Sequence, residues 1–361
     1  MAFFRLCWFL DDRLPRDESP RVSCLSEPCG GHYHAATMRH GDPQLESKLA
    51  ETRVEVEPVS GDAVQPSTMP PPTAEACPPP LAWRDVLRQF HDKATPFTVD
   101  RGEYRLAGRT WGSGPPLYLM NGIGGNLDLF ALSIYLLRDS FRCVIYDYPG
   151  TTRDGTRLPK LRFDDFVADL FAVADHADDE RFHLFGTSFG GLVGLGAMLA
   201  QPERVDRAVL QGAFAHRRLS IAERLLIQLC RWHPGRLRHV PLRAWIHQRN
   251  HRLWFPPFDE SRWQFFFDTA GDVPVATLAQ RSAIVRDTDL RPKLGDVRHP
   301  VLLLRTESEA AVPEDCHAVL ADRLPNARSE QMLSTGHLPY LTHPHRLVKL
   351  LRSFLLEDAT S

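Results

Sequence analysis

Strong net charge is missing from this chain. Its 43 Lys and Arg stand against 45 Asp and Glu, a formal charge of -2 with a pI near 6.8. That balance gives no electrostatic reason to expect nucleic acid or an anionic membrane surface as partner. Long apolar runs are missing too. In the opening MAFFRLCWFL the apolar run after Arg5 is five residues long, and Asp11, Asp12 and Arg13 follow it. This is too short to span a membrane and poorly flanked for a secretory signal. No membrane span is expected, and a cytoplasmic location is the default. Cysteine is sparse, seven in 361 residues, which excludes a disulfide scaffold. Cys143, Cys230 and Cys316 lie in apolar surroundings and read as buried thiols. Cys24 and Cys29 with His32, His34 and His40 match no standard zinc spacing, so no metal site is expected there.

Residues 1–80 lack the apolar patterning of a domain. They are rich in Pro, Glu, Ser and Gly and end in proline clusters at 70–72 and 78–80. Such a segment buries too little apolar surface to offset its ordering entropy, and is expected to be a disordered extension. Beyond Pro80 the texture changes. Residues 81–90 place Leu81, Val86, Leu87 and Phe90 on one helical face. Strand-like runs follow near 97–99 and 104–106. From 116 onward strands and helices alternate: strands at 117–120, 141–147, 181–185 and within 205–214, helices at 163–177 and 192–200. Largely apolar strands spaced by helices indicate an α/β fold, a mostly parallel sheet covered on both faces. Residues 215–273, heavy in Trp, Phe and Arg, interrupt the alternation with a helical pattern, and 274–289 reads as an ordinary helix leading to a strand at 300–305. The expected organisation is a core formed by 81–214 and 274–361, with 215–273 as a helical cap over the ligand-binding edge of the sheet.

The chemistry concentrates at strand ends. The 181–185 strand runs into Gly186-Thr187-Ser188-Phe189-Gly190-Gly191 and then a helix. A tight strand-to-helix turn lifts a serine hydroxyl clear of the sheet, small residues at Gly186 and Gly190 leave room for it, and the helix N-terminus offers N–H groups to developing negative charge. Ser188 is the candidate nucleophile; a structural turn serine is the plain alternative. Asn121-Gly122-Ile123-Gly124-Gly125 ends the first central strand, and the Ile123 and Phe189 N–H groups would form an oxyanion hole. A flexible turn is the plain reading of those glycines, and the loop lacks a Walker lysine. His337, in Thr335-Gly336-His337, follows the sheet strands and is the candidate base; the alternative is a loop histidine held by ordinary hydrogen bonds. His343 and His345 read as surface or helix-start residues. An acid orienting the imidazole should follow strand 300–305, where Glu307, Glu309 and Asp315 are available. Glu309 is preferred because it lies four residues before Pro313, with Glu307 next; either reads otherwise as a solvated loop charge.

Together these residues resemble the α/β-hydrolase superfamily over roughly residues 97–356. The resemblance rests on GTSFGG followed by Pro202-Glu203-Arg204-Val205, and on Gly336-His337-Leu338-Pro339. Where the family carries its acid in G-x-x-D-x-x-x-P, this chain has TESEAAVP, with Thr306 at the glycine and Glu309 at the aspartate. The family's common oxyanion His-Gly is here Asn121-Gly122. A more distant similarity to the maspardin group lies in HLFGTSFGG, Leu324-Pro325-Asn326-Ala327 and Leu338-Pro339-Tyr340-Leu341. The superfamily resemblance implies a cofactor-independent serine hydrolase that cleaves a small ester, thioester or related acyl substrate through an acyl-enzyme. The maspardin resemblance implies a catalytically silent binding or adaptor protein with a protein partner.

Overall fold

The structure is a computed structural model that describes residues 81–151, 160–241, 243–257, 259–307 and 312–357. Thr95–Asp100 (β1) and Arg105–Trp111 (β2) pair as an antiparallel hairpin. Six strands follow: Pro116–Met120 (β3), Arg142–Tyr146 (β4), Phe182–Thr187 (β5), Val205–Gln211 (β6), Val301–Thr306 (β7) and Ala327–Met332 (β8). They form one sheet in the order β1-β2-β4-β3-β5-β6-β7-β8. The β2–β4 pairing is antiparallel, and every pairing among β3 to β8 is parallel.

The two-residue period of each strand separates two cores. From β3, Tyr118 and Met120 point to one side with Val144, Leu184, Leu210 and Leu303. Leu117 and Leu119 point to the other with Cys143, Ile145, Phe185, Val209 and Leu302. Helices Phe163–His176, Phe189–Ala200 and Val275–Asp287 cover the first face. Helices Trp83–Lys93, Ala131–Leu137 and Pro344–Leu355 cover the second. A strand buried on both sides must be apolar at every position, which is why these strands read as runs rather than alternations. In the terminal helix Leu347, Leu351 and Phe354 are buried and Leu350 is half-buried.

β8 escaped the sequence reading, which placed the last strand at 300–305. Its residues ARSEQM bury only Met332. An edge strand pairs on one side and wets its side chains, so it carries no apolar signature.

The chain enters β3, steps to β4 on one side, then crosses to β5 on the other. Strand order thus reverses about β3, and open α/β sheets bind ligands beyond the carboxyl ends of the strands at such a point. The registers Met120↔Gly186, Thr187↔Gln211 and Gln211↔Leu304 bring the ends of β3, β5, β6 and β7 to one level. Between β6 and β7 lie helices Ile221–Cys230, Arg243–His251, Glu260–Gly271 and Val275–Asp287. Among the described residues, no helix is long and apolar enough to cross a membrane.

Candidate active site

Ser188 sits between β5 and helix Phe189–Ala200 with φ 52° and ψ -112°. A non-glycine residue in this region stores about 1–3 kcal/mol of backbone strain, and its surroundings must hold it there. Several contacts do so. The Ser188 N–H donates to the Gln211 carbonyl at 2.9 Å, while the Ser188 carbonyl accepts from Gly191 and Leu192 at 3.0 and 3.2 Å. The turn is so tight that a Cβ on Gly190 would lie 2.3 Å from the Met120 carbonyl oxygen, and one on Gly186 would lie 2.7 Å from the Gly190 oxygen. Both glycines singled out in the sequence are therefore required by close backbone approach.

The same approach sets Asn121 and its glycine loop against the start of that helix. Within the loop Gly125 N–H closes onto the Gly122 carbonyl at 3.1 Å. Asn121 is buried, and a Cβ on Gly125 would lie 2.7 Å from its Oδ1. Arg281, from helix Val275–Asp287, reaches this loop: its guanidinium donates to the Ile123 carbonyl at 2.7 Å, to Tyr148 O at 3.2 Å, to Pro149 O at 3.1 Å and to Thr151 Oγ1 at 2.7 Å. The side chain is fully buried, and burial lowers its pKa to about 10, against the pull of Tyr148 and Asp147. It remains charged at neutral pH. Asp147, at the end of β4, accepts Leu127 N–H at 2.9 Å on the far side of the loop. Burial holds that carboxyl up at about 7, opposed by the Leu127 hydrogen bond and Arg281.

His337 follows β8 in a turn with two left-handed residues, Ser334 (φ 59°) and Gly336 (φ 60°). A Cβ on Gly336 would lie 2.4 Å from the Trp254 indole, so an inserted-segment residue presses on this turn. Thr335 Oγ1 donates to Met332 O at 3.1 Å, and Thr342 Oγ1 donates to Thr335 O at 2.9 Å. Gln211 Nε2 donates to the His337 carbonyl at 3.4 Å. Gln211 thus holds Ser188 through its carbonyl and the His337 backbone through its side chain.

Of the three acids, Glu309 lies outside the described residues. Glu307 is exposed; its N–H donates to Met332 O at 3.2 Å, and its carboxylate accepts Ser334 N–H at 2.7 Å. It serves the turn that carries His337. Asp315 is exposed in the first turn of helix Glu314–Arg323. His343 precedes the terminal helix, as expected of a helix-start residue.

A cavity lined mainly by apolar side chains lies between the glycine loop, the segment after His337 and the helices that follow β6. Gly122, Gly124, Leu338 and Tyr340 line it together with the apolar side chains of Leu237, Phe266 and Leu278. His247 and His251 also line it. Among the described residues neither ring nitrogen of His247 has a hydrogen-bond partner. Burial, then Arg243, lowers its pKa to about 3, so this imidazole is neutral. Ser188 and His337 are only 6% and 2% exposed, and neither belongs to the cavity wall.

Gln211, Arg281, Asp147 and His247 were not anticipated. Gln211 left a faint trace as the polar end of an apolar strand; the others look like ordinary helix or strand-end residues until the chain is folded.

A serine in a strained strand-to-helix turn, a glycine loop at the switch point and a histidine after the last strand lie on a mostly parallel sheet of the α/β-hydrolase type. Residues 115–344 match the family described as "alpha/beta hydrolase fold", and the chain belongs to that family. It is 28% identical over 268 residues to a protein of Agrobacterium fabrum provisionally named carbamate hydrolase RutD, spanning 70% of this chain and 97% of that one. Its structure resembles the enol-lactonase from Burkholderia xenovorans, with a TM-score of 0.61 at 20% identity over 73% of this chain and 100% of the other. It also resembles the esterase EaEST from Exiguobacterium antarcticum, with a TM-score of 0.63 at 19% identity over 73% of this chain and all of that one.

Proposed function

We propose that the chain is a serine hydrolase of small esters, thioesters or related acyl compounds. The observation that carries this reading is the backbone of Ser188. A strained serine between a parallel strand and a helix, held by Gln211 and by close glycine packing, has no evident structural purpose. Family membership and relatives named as carbamate hydrolase, lactonase and esterase support the same class of reaction. The apolar cavity beside the glycine loop suits a small, largely apolar acyl group, and the inserted helices act as its cap.

In this mechanism Ser188 Oγ attacks the substrate carbonyl carbon while His337 takes the hydroxyl proton. The oxyanion is met by the Ile123 and Phe189 N–H groups, with Asn121, Gly122, Gly186 and Gly190 shaping the backbone around them. Collapse of the intermediate breaks the bond to the leaving group, which receives the proton from His337. Water, deprotonated by His337, then attacks the Ser188 ester; the bond to Ser188 Oγ breaks, His337 returns the proton to that oxygen, and the acid is released. Glu309 orients the imidazole, leaving Glu307 on the Ser334 amide. No cofactor is called for, and the substrate is a small molecule.

The near-complete burial of Ser188 favours a second reading, a silent binding protein closed by its inserted helices. One experiment separates the two: intact mass after treatment with a small fluorophosphonate, beside Ser188→Ala. A single adduct on the parent that is absent from the variant supports the hydrolase. No adduct on folded protein supports the binding protein.

A further inference from the structure

The overall charge balance hides a sharp local asymmetry. Residues 215–257 hold nine arginines and one carboxylate, Glu223. Glu223 is buried, caps its own helix through Ser220 and is paired with Arg217 at 3.0 Å, so it offers nothing to the surface. Arg218, Arg224 and Arg231 are exposed. The same segment presents apolar side chains to water. Helix Ile221–Cys230 buries Ile227 on one side, yet Ile221, Leu225 and Leu229, spaced four apart along another side, are 61–77% exposed. Trp232, just past the helix, is 85% exposed. A run of large apolar side chains in water is unusual for a surface without a partner.

We infer that this face of the inserted segment docks on an anionic lipid surface, with Ile221, Leu225, Leu229 and Trp232 entering the headgroup–acyl boundary and Arg218, Arg224 and Arg231 meeting the phosphates. Leu, Ile and Trp beside arginine is the composition of an interfacial helix. The charge pattern argues against other occupants. A second copy placed symmetrically on this stripe would bring two sets of Arg224 and Arg231 into one interface, with no free carboxylate in the segment to offset them. Nucleic acid would use the arginines and leave four apolar side chains wet. Leu237, five residues beyond Trp232, lines the cavity, so the docking face lies close in the chain to the cavity wall. The inference concerns binding alone and stands whether or not Ser188 is reactive.

The test is co-sedimentation of the full chain with phosphatidylcholine vesicles, with and without phosphatidylglycerol. The protein is expected on the mixed vesicles, less on phosphatidylcholine alone, and to be released by salt. Leu225→Ser with Leu229→Ser should weaken binding by about tenfold or more. Arg224→Gln with Arg231→Gln should weaken it by about fivefold per arginine at low salt, a loss that salt erases. All four positions are exposed, so thermal midpoints should stay near that of the parent; if one pair unfolds the chain, the other decides. Parent protein that ignores both vesicles overturns the inference. So does binding that neither pair alters, which would assign it to another part of the chain such as residues 1–10. A parent dimer in sedimentation velocity that the leucine pair converts to monomer, without lipid binding, would assign the face to a second copy instead.

Discussion

Arg281 donates to the carbonyl of Ile123 across 2.7 Å, from a helix 158 positions further along the chain. The peptide whose carbonyl it holds is the one next to the proposed oxyanion donor, so the orientation of that N–H depends on a fully buried guanidinium. Replacing Arg281 with Met removes four hydrogen bonds and frees the loop. The expected result is a fall in kcat of roughly 10–1,000-fold with a smaller change in KM, since an oxyanion donor acts mainly in the transition state. Steady-state kinetics on a chromogenic ester, beside Arg281→Lys, checks this. Equal loss in KM and none in kcat would make Arg281 a substrate-binding residue.

Gly190→Ala should destabilise the fold by about 3 kcal/mol or more. The added methyl group would lie 2.3 Å from one backbone oxygen and 2.7 Å from another, neither able to swing aside. Gly295→Ala is the control, because a Cβ there meets nothing within 4 Å. Urea titration of both variants gives the comparison.

Ser188→Gly and Ser188→Ala both abolish the proposed chemistry, but they should differ in stability. Alanine retains the strained φ of 52°, whereas glycine accepts it, at the expense of a more flexible unfolded chain. The glycine variant is expected to be more stable than the alanine variant by about 1 kcal/mol, measured by denaturant midpoint. Equal midpoints would mean the turn is not strained.

Stability should fall as pH rises from about 4 to about 7. Burial raises the Asp147 carboxyl from an ordinary 3.8 to about 7, so across that window the folded chain holds a proton that the unfolded chain has lost. The contribution is therefore largest below pH 4 and is lost by the time pH passes 7. Asp169, raised by burial to about 6, adds in the same direction. Asp147→Asn keeps an acceptor for the Leu127 N–H and cannot titrate. It should flatten the slope and be more stable than the parent at pH 8, by an amount on the order of 1 kcal/mol.

His247→Leu should leave stability unchanged or higher, because the imidazole nitrogens it removes are buried without hydrogen-bond partners. If the cavity is the acyl pocket, kcat/KM for acyl groups carrying a polar tip should drop about tenfold, while simple alkyl esters are retained. A substrate series on the two proteins decides. An unchanged preference would place the acyl group elsewhere.

The sequence by itself determined the layered α/β architecture and the identities of Ser188, Ile123, Phe189 and His337 as candidates. It could do so because doubly buried strands must be apolar throughout and because the serine turn demands glycine at Gly186 and Gly190, constraints that act within a few residues. Tertiary structure alone decided what holds those candidates. Gln211 joins the Ser188 and His337 segments across 126 residues of chain, and Arg281 reaches the glycine loop from helix Val275–Asp287. A lone Gln or Arg has no local pattern, since its partners are carbonyls that any residue supplies. β8 was hidden for a related reason: an edge strand draws its hydrogen bonds from a neighbour and asks almost nothing of its own side chains. The arginine-rich apolar face vanished into a balanced total, because net charge is a sum over the chain whereas a docking surface is a local arrangement of it.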